Sequence, residues 1–130
     1  MGLDITLVKG RVHPNYLSAM VQGETIGCGL KYEDNDIVTV TDDVYYQRRM
    51  YTVRDVLKEA LGNASESEYH LLTPERMAKI IELARDKSEY LEVRPTDVYH
   101  DEVRPLCELI LAVEAAQRDE SDELYFAIWG

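Results

Sequence analysis

The stretch LDITLV, residues 3–8, decides the fold class of this chain. Its apolar and polar residues alternate with a period of two, which is typical of a half-buried β-strand. At the other end, LYFAIW (124–129) follows an acidic turn and predicts a closing strand, since it is short, apolar and rich in aromatic residues. We expect these two terminal strands to pair in one sheet.

Between the termini, the period of the hydrophobic pattern changes from two to about 3.6. DIVTVT (36–41) is rich in β-branched residues and predicts a further strand. The following segment, with Thr52 as N-cap and Gly62 as the terminating residue, has apolar residues three and four apart and predicts a helix. GNASESE (62–68) predicts a polar loop.

Two more helices are predicted in the second half of the chain. Thr73-Pro74 supplies an N-cap followed by a proline in the first helical position. Thr96 is a candidate N-cap for the third helix, whose apolar face includes Leu106, Cys107 and Leu111. Strands, then helices, then a strand predict an α+β fold in a single domain, 1–130. We expect a small antiparallel or mixed sheet with about three helices on one face.

The charge balance indicates which partners the chain avoids. Twenty-five Asp and Glu against 14 Lys and Arg give a formal net charge of -11. Nucleic acid is bound through Lys and Arg, so we expect no direct nucleic-acid binding and a basic protein partner instead. The sequence has no apolar run long enough to span a bilayer and no signal peptide, which favours a cytoplasmic protein without a membrane partner. Its oligomeric state stays open, with a homodimer as one option.

Catalytic and metal-binding patterns are weak. Cys28 and Cys107 are distant in sequence and are expected to be reduced, with Cys107 in the core. Cys28, between two glycines, could act as a nucleophile beside a histidine, but a tight turn is the simpler interpretation. The sequence contains neither a Cys-x-x-Cys nor a His-Glu-x-x-His motif. We therefore expect no catalytic residues, no metal and no cofactor, and an enzyme is the less favoured option.

The aromatic residues point to a binding surface. Nine tyrosines stand against one Phe and one Trp, and VYYQRRMY (44–51) combines three tyrosines with Arg48 and Arg49. Tyr and Arg often dominate binding energy at interfaces. One interpretation is a recognition patch over 42–51. Another is a strand in which Tyr45 and Tyr46 point to opposite faces and only one is buried. A third is a phosphate-binding site at the two arginines.

Both ends of the chain resemble a known group of proteins. The opening MGLDITL (1–7) resembles the start of small phage-encoded proteins beginning Met-Gly-Leu-Asp. The acidic tract followed by LYFAIWG (124–130) is similar to the ending of that group. Residues 11–120 do not match its tryptophan-rich centre. The resemblance implies a phage or prophage accessory protein and assigns no functional residue.

These observations together predict an acidic protein that binds and inhibits a basic, nucleic-acid-handling host protein, as an anti-defence or anti-CRISPR protein would. The residues predicted to bind the partner are acidic or aromatic: Glu33, Asp34, Asp36, Asp42, Asp43, Tyr45, Tyr46, Tyr51, Asp119, Glu120, Asp122 and Glu123. One alternative is a protein that sequesters or hydrolyses a nucleotide or other small molecule through Arg48, Arg49 and Cys28. Another is a virion assembly protein, and a third is that the acidity serves solubility alone.

Overall fold

The computed structural model describes residues 3–12, 30–31, 38–62, 66–92 and 100–130. These residues form five strands and three helices. In chain order they are β1 (Asp4–Val12), β2 (Leu30–Lys31), β3 (Val38–Arg48), α1 (Tyr51–Ala60), β4 (Glu68–Leu71), α2 (Pro74–Glu92), α3 (His100–Arg118) and β5 (Leu124–Trp129).

The strands form one sheet in the order β2-β4-β5-β1-β3, with all neighbouring pairs antiparallel. The terminal strands β1 and β5 pair directly, from Ile5 opposite Trp129 to Gly10 opposite Leu124. The predicted pairing of the two chain ends and the predicted α+β class are therefore confirmed.

The alternating pattern of β1 divides the sheet into two faces. Leu3, Ile5 and Leu7 are buried in a cluster that also contains the apolar residues of all three helices. The helices therefore pack on this face, called the helix face below. Val8 points to the other face, where it packs with Tyr69 and Phe126 in a second, smaller cluster. Burial on both faces explains the uninterrupted apolar run of β5.

The helix boundaries follow the sequence signals in part. The hydroxyl of Thr73 accepts a hydrogen bond from the Arg76 N–H, so the predicted N-cap of α2 is confirmed. Gly62 follows α1 with a φ of 69°, a conformation that glycine adopts without strain. The predicted N-cap at Thr52 is wrong. Thr52 lies inside α1, which starts one residue earlier, at Tyr51. Its hydroxyl donates to the Glu102 carboxylate of α3.

The expectation that Cys107 lies in the core is also wrong, since its side chain is exposed. Leu111, one turn later on α3, is 65% exposed. The buried stripe of this helix passes instead through Leu106, Leu109 and Val113. An α-helix can bury only part of its circumference against one sheet face and one neighbouring helix, so the wider apolar pattern of α3 extends into solvent.

Two strands differ from the sequence expectation. β4 lies where a polar loop was predicted to end, and its central residues, Tyr69 and His70, are buried. β3 continues past the predicted end at residue 41 to Arg48. The expectations for Cys28, for the acidic residues in 33–36 and for Thr96 fall outside the described residues. None of the helices in the described ranges is long and apolar enough to cross a membrane.

Candidate functional site

The first candidate surface lies on β3, the last strand of the sheet among the described residues. Asp42 and Asp43 lie in this strand and both side chains are exposed. Glu33, Asp34 and Asp36, the other acids predicted for this surface, fall outside the described residues. A strand at the edge of a sheet offers backbone groups as well as side chains to a partner.

Tyr45 and Tyr46 lie on opposite faces of β3, as one interpretation of the sequence predicted. Tyr45 is 7% exposed on the helix face, and its hydroxyl donates to the Pro105 carbonyl over 2.8 Å. Burial raises the pKa of Tyr45, with the nearby Glu108 carboxylate as a second cause. The position of Tyr45 therefore suits a core residue rather than one that contacts a partner.

Tyr46 is 51% exposed on the face opposite the helices. Its hydroxyl donates to Asp4 Oδ1 over 2.6 Å, and this hydrogen bond raises the pKa of Tyr46. Asp4 was not among the predicted site residues. Its polar position in the alternating pattern of β1 was the sequence signal that could have identified it. The hydrogen bond fixes the orientation of an exposed aromatic ring on the edge strand.

The exposed surface continues from β3 into α1. Tyr51, the first residue of α1, is 51% exposed, and the Arg54 guanidinium lies 5.0 Å from the centre of its ring. Arg48, the last residue of β3, and Arg49, which follows it, are exposed, and Arg49 has a φ of 59°. A left-handed residue at this position turns the chain from the strand towards the helix. Cys28, the third residue of the small-molecule alternative, is outside the described residues.

A β-bulge changes the direction of the side chains in the middle of β3. Tyr45 lies opposite Leu7, whereas Asp43 lies opposite Val8, so Val44 is an extra residue in the β3 strand. Thr6 and Val8 both lie on the face opposite the helices. Asp43 and Tyr46 therefore share this face although they are three residues apart. Arg48, two residues after Tyr46, joins them there.

The second predicted patch, Asp119 to Glu123, divides into internal and external carboxylates. Asp119 follows α3 and binds Lys9 Nζ of β1 at 2.8 Å. It also accepts hydrogen bonds from the Tyr125 hydroxyl and from the backbone and side chain of Ser121. The hydrogen bond from Lys9 is the main cause that holds the pKa of Asp119 far below its ordinary value. In turn, Asp119 raises the pKa of Lys9.

Glu123 completes this internal network. It accepts a 2.7 Å hydrogen bond from the Thr41 hydroxyl and a 3.1 Å hydrogen bond from Arg11 Nε. These two hydrogen bonds, the first being the larger cause, lower the pKa of Glu123. Glu120 and Asp122 are exposed in the same turn. Two of the four predicted acids therefore connect β1, β3 and β5, and two face solvent.

Lys9 and Arg11 are residues of this network that the sequence interpretation did not single out. Once β1 and β5 are paired antiparallel, Lys9 lies opposite Tyr125, next to the acidic turn. The sequence signal was the pair of basic residues at the end of an alternating strand. That these two residues lie beside the acidic turn depends on the register between β1 and β5, which the sequence alone does not provide.

A shallow cleft of about 420 Å³ lies beside the network. Its lining includes the polar residues Asp119, Glu123 and Tyr125 and the apolar residues Leu72, Pro74 and Met77. Since both carboxylates are already paired with Lys9 or Arg11, the cleft has little unneutralised charge to offer a ligand. Arg48 and Arg49 are not among its lining residues.

The described residues include side chains of the types used in metal binding and nucleophilic catalysis. They contain no cluster of three metal-ligating side chains. Cys107 is exposed on α3, and His70 is buried on β4 with its ring 5.2 Å from that of Trp129. These two groups lie on different elements, α3 and β4.

Comparison with known proteins returned no match to this chain among protein-family models, curated proteins or solved structures.

Proposed function

We propose that this chain is an accessory protein of phage or prophage type that binds a basic, nucleic-acid-handling host protein and inhibits it, as anti-defence or anti-CRISPR proteins do. The observation that supports the proposal is the exposure of Asp42 and Asp43 on the same edge strand as Tyr46, with Tyr51 beside its end. Carboxylates beside exposed tyrosines combine electrostatic attraction with residues that contribute strongly to binding.

The binding surface in this proposal is smaller than the one expected from the sequence. Tyr45 is buried, and Asp119 and Glu123 are engaged with Lys9 and Arg11. The remaining described members are exposed: Asp42, Asp43, Tyr46, Tyr51, Glu120 and Asp122. We call these six residues the acidic-tyrosine surface. Its carboxylates would take the positions of phosphate groups in the basic channel of the partner.

The net charge of -11 supports the same mechanism at longer range. A strongly negative protein approaches a basic partner faster at low ionic strength, and at 0.1 M salt the attraction between exposed charges more than about 10 Å apart is largely screened. Association with the partner should therefore slow as salt rises, while dissociation changes less.

The proposal is tested with three forms of the chain: the native sequence, Asp42→Lys/Asp43→Lys, and a control Glu59→Lys/Asp86→Lys. The control alters the net charge by the same amount at exposed positions of α1 and α2. Each form is used to capture partners from host lysate, and the association rate of the recovered basic protein is then measured at about 0.05 M and 0.5 M salt.

We expect the edge-strand variant to lose binding and the control to retain most of it. Equal losses in both variants would mean that only the net charge matters and would contradict the assignment of the acidic-tyrosine surface. If the native chain recovers no basic partner, or one whose association rate is independent of salt, the proposed function is wrong.

A further inference from the structure

The outer edge of β3 has a defined set of backbone groups. The Arg49 N–H donates to the carbonyl of Leu3, the residue just before β1, over 2.7 Å. In an antiparallel ladder the N–H and C=O groups of successive residues point to opposite sides of the strand. Arg48 and Tyr46 therefore direct their backbone groups away from β1. Because of the bulge at Val44, the backbone groups of Asp43 also point away from β1.

Charges along this edge are arranged with opposite signs at its two ends. Asp42 and Asp43 lie on one side of Tyr46, and Arg48 and Arg49 lie on the other. All four side chains are exposed, and none of them is in an ion pair among the described residues. Such a strand is complementary to itself when it is read in the reverse direction.

We propose that β3 pairs antiparallel with β3 of a second copy of this chain, about a two-fold axis that passes beside Tyr46. Tyr46 then lies opposite Tyr46 of the second copy, and each Arg48 lies opposite Asp43. Arg49 comes next to Asp42 at both ends of the interface. An interface of this kind uses the same patch on both subunits, as two-fold dimers do.

The β-bulge makes the register of this pairing consistent. Two residues separate Tyr46 from Asp43, but only one separates it from Arg48. In the pairing of β3 with β1, Val44 and Tyr45 of β3 already lie opposite a single residue of β1, Leu7. In the dimer, the same two residues lie opposite Gln47. Asp43, Tyr46 and Arg48 therefore share one face and all direct their backbone groups across the interface.

The dimer would extend the sheet across both copies. It satisfies backbone donors and acceptors at an edge that no other strand among the described residues pairs with. The charge pairs select the antiparallel register, since a parallel pairing in register would place like charges side by side. Because these pairs are exposed, we expect dimerisation to weaken as salt rises.

This inference does not depend on the proposed function, because it concerns the purified chain alone. The two would compete, however, since the dimer uses Asp42, Asp43 and Tyr46 of the acidic-tyrosine surface. A basic partner and a second copy would then exclude each other from β3.

Sedimentation velocity from about 10 μM to about 1 mM tests the proposal. We expect the native chain to dimerise in this range. Arg48→Glu turns two attractive pairs per dimer into repulsive ones, and so does Asp43→Lys. Each should weaken dimerisation about 30-fold. An equimolar mixture of the two variants should form a heterodimer, since every pair across that interface is again between opposite charges.

The controls are Lys79→Glu and Asp86→Lys, which make the same charge changes at exposed positions of α2 and should leave dimerisation unchanged. Circular dichroism checks that all variants are folded. Any of three results would overturn the proposal. The native chain could stay monomeric at 1 mM, the dimer could be insensitive to both Arg48→Glu and Asp43→Lys, or the mixture of these two variants could fail to associate.

The same variants separate this inference from the proposed function. Arg48→Glu should weaken the dimer while it retains or strengthens binding to a basic partner. Asp43→Lys should weaken both. If Arg48→Glu leaves the dimer intact but partner binding follows the expected pattern, the self-pairing is wrong and the proposed function stands.

Discussion

Tyr45 and Tyr46 are adjacent on β3, and their substitution by alanine tests which face of the strand is buried. Tyr45→Ala removes a ring that is 7% exposed and a 2.8 Å hydrogen bond to the Pro105 carbonyl. Loss of a buried aromatic side chain costs about 3–5 kcal/mol of unfolding free energy. Tyr46→Ala removes a ring that is 51% exposed, and we expect no measurable change in that free energy.

Tyr45→Phe isolates the contribution of the hydroxyl group. It keeps the ring in the core but leaves the Pro105 carbonyl without this donor, which should cost about 1 kcal/mol. The series Tyr46→Ala, Tyr45→Phe and Tyr45→Ala should therefore show increasing destabilisation. For Tyr45→Ala we expect a fall in melting temperature of more than about 10 °C.

Urea unfolding followed by circular dichroism measures all three variants. The midpoints should separate while the slope against urea stays constant, since each variant exposes nearly the same surface on unfolding. If Tyr46→Ala is as destabilising as Tyr45→Ala, the register of β3 against β1 is wrong. The assignment of Asp43 and Arg48 to one face would then fail as well.

Three further predictions concern the other elements that hold the sheet and helices together. Phe126→Ala should cost about 3–5 kcal/mol in urea unfolding, since Phe126 is fully buried on the face opposite the helices, and a negligible loss would contradict that second cluster. The pKa of Asp119 lies below its ordinary value of 3.8, so the Lys9–Asp119 contact should stabilise the protein fully above about pH 5 and progressively less as the pH falls. The difference in melting temperature between the native chain and Asp119→Asn should thus shrink from pH 7 to about pH 2, and a constant difference would refute this linkage. Thr73→Ala should cost about 1 kcal/mol through the lost N-cap of α2, whereas Thr73→Ser should retain most of the stability in the same urea assay.

Local signals were most reliable where one short segment contains all the information. The alternation in residues 3–8 predicted both a strand and its buried side. Thr73-Pro74 predicted the start of α2 because a hydroxyl cap and a proline act within one turn. Gly62 predicted the end of α1 for the same reason, since its positive φ is a local backbone requirement.

Signals that depend on distant partners were less informative. Thr52 has the chemistry of an N-cap, but its hydroxyl bonds to Glu102 of α3, which no local pattern indicates. Cys107 fits an apolar helical stripe, yet the number of buried positions on α3 depends on what packs against it. β4 is short and adjoins a polar loop, so its pairing with β5, rather than its own composition, defines it as a strand.

The candidate site shows the same division. The sequence indicated that Asp42, Asp43 and the neighbouring tyrosines form a surface worth testing, and one of its three interpretations was that only one of Tyr45 and Tyr46 would be buried. It could not show that Asp119 and Glu123 are held by Lys9 and Arg11, because these contacts join residues more than 100 positions apart.

By itself, the sequence determined the α+β class, the strands at both ends and the net charge, since each follows from local periodicity or from composition. Only the tertiary structure decided which carboxylates are neutralised by partners, which tyrosine is exposed and where the bulge shifts the side chains of β3. These properties depend on strand register, and register is set by the simultaneous packing of β1 against β3, β5 and the helices.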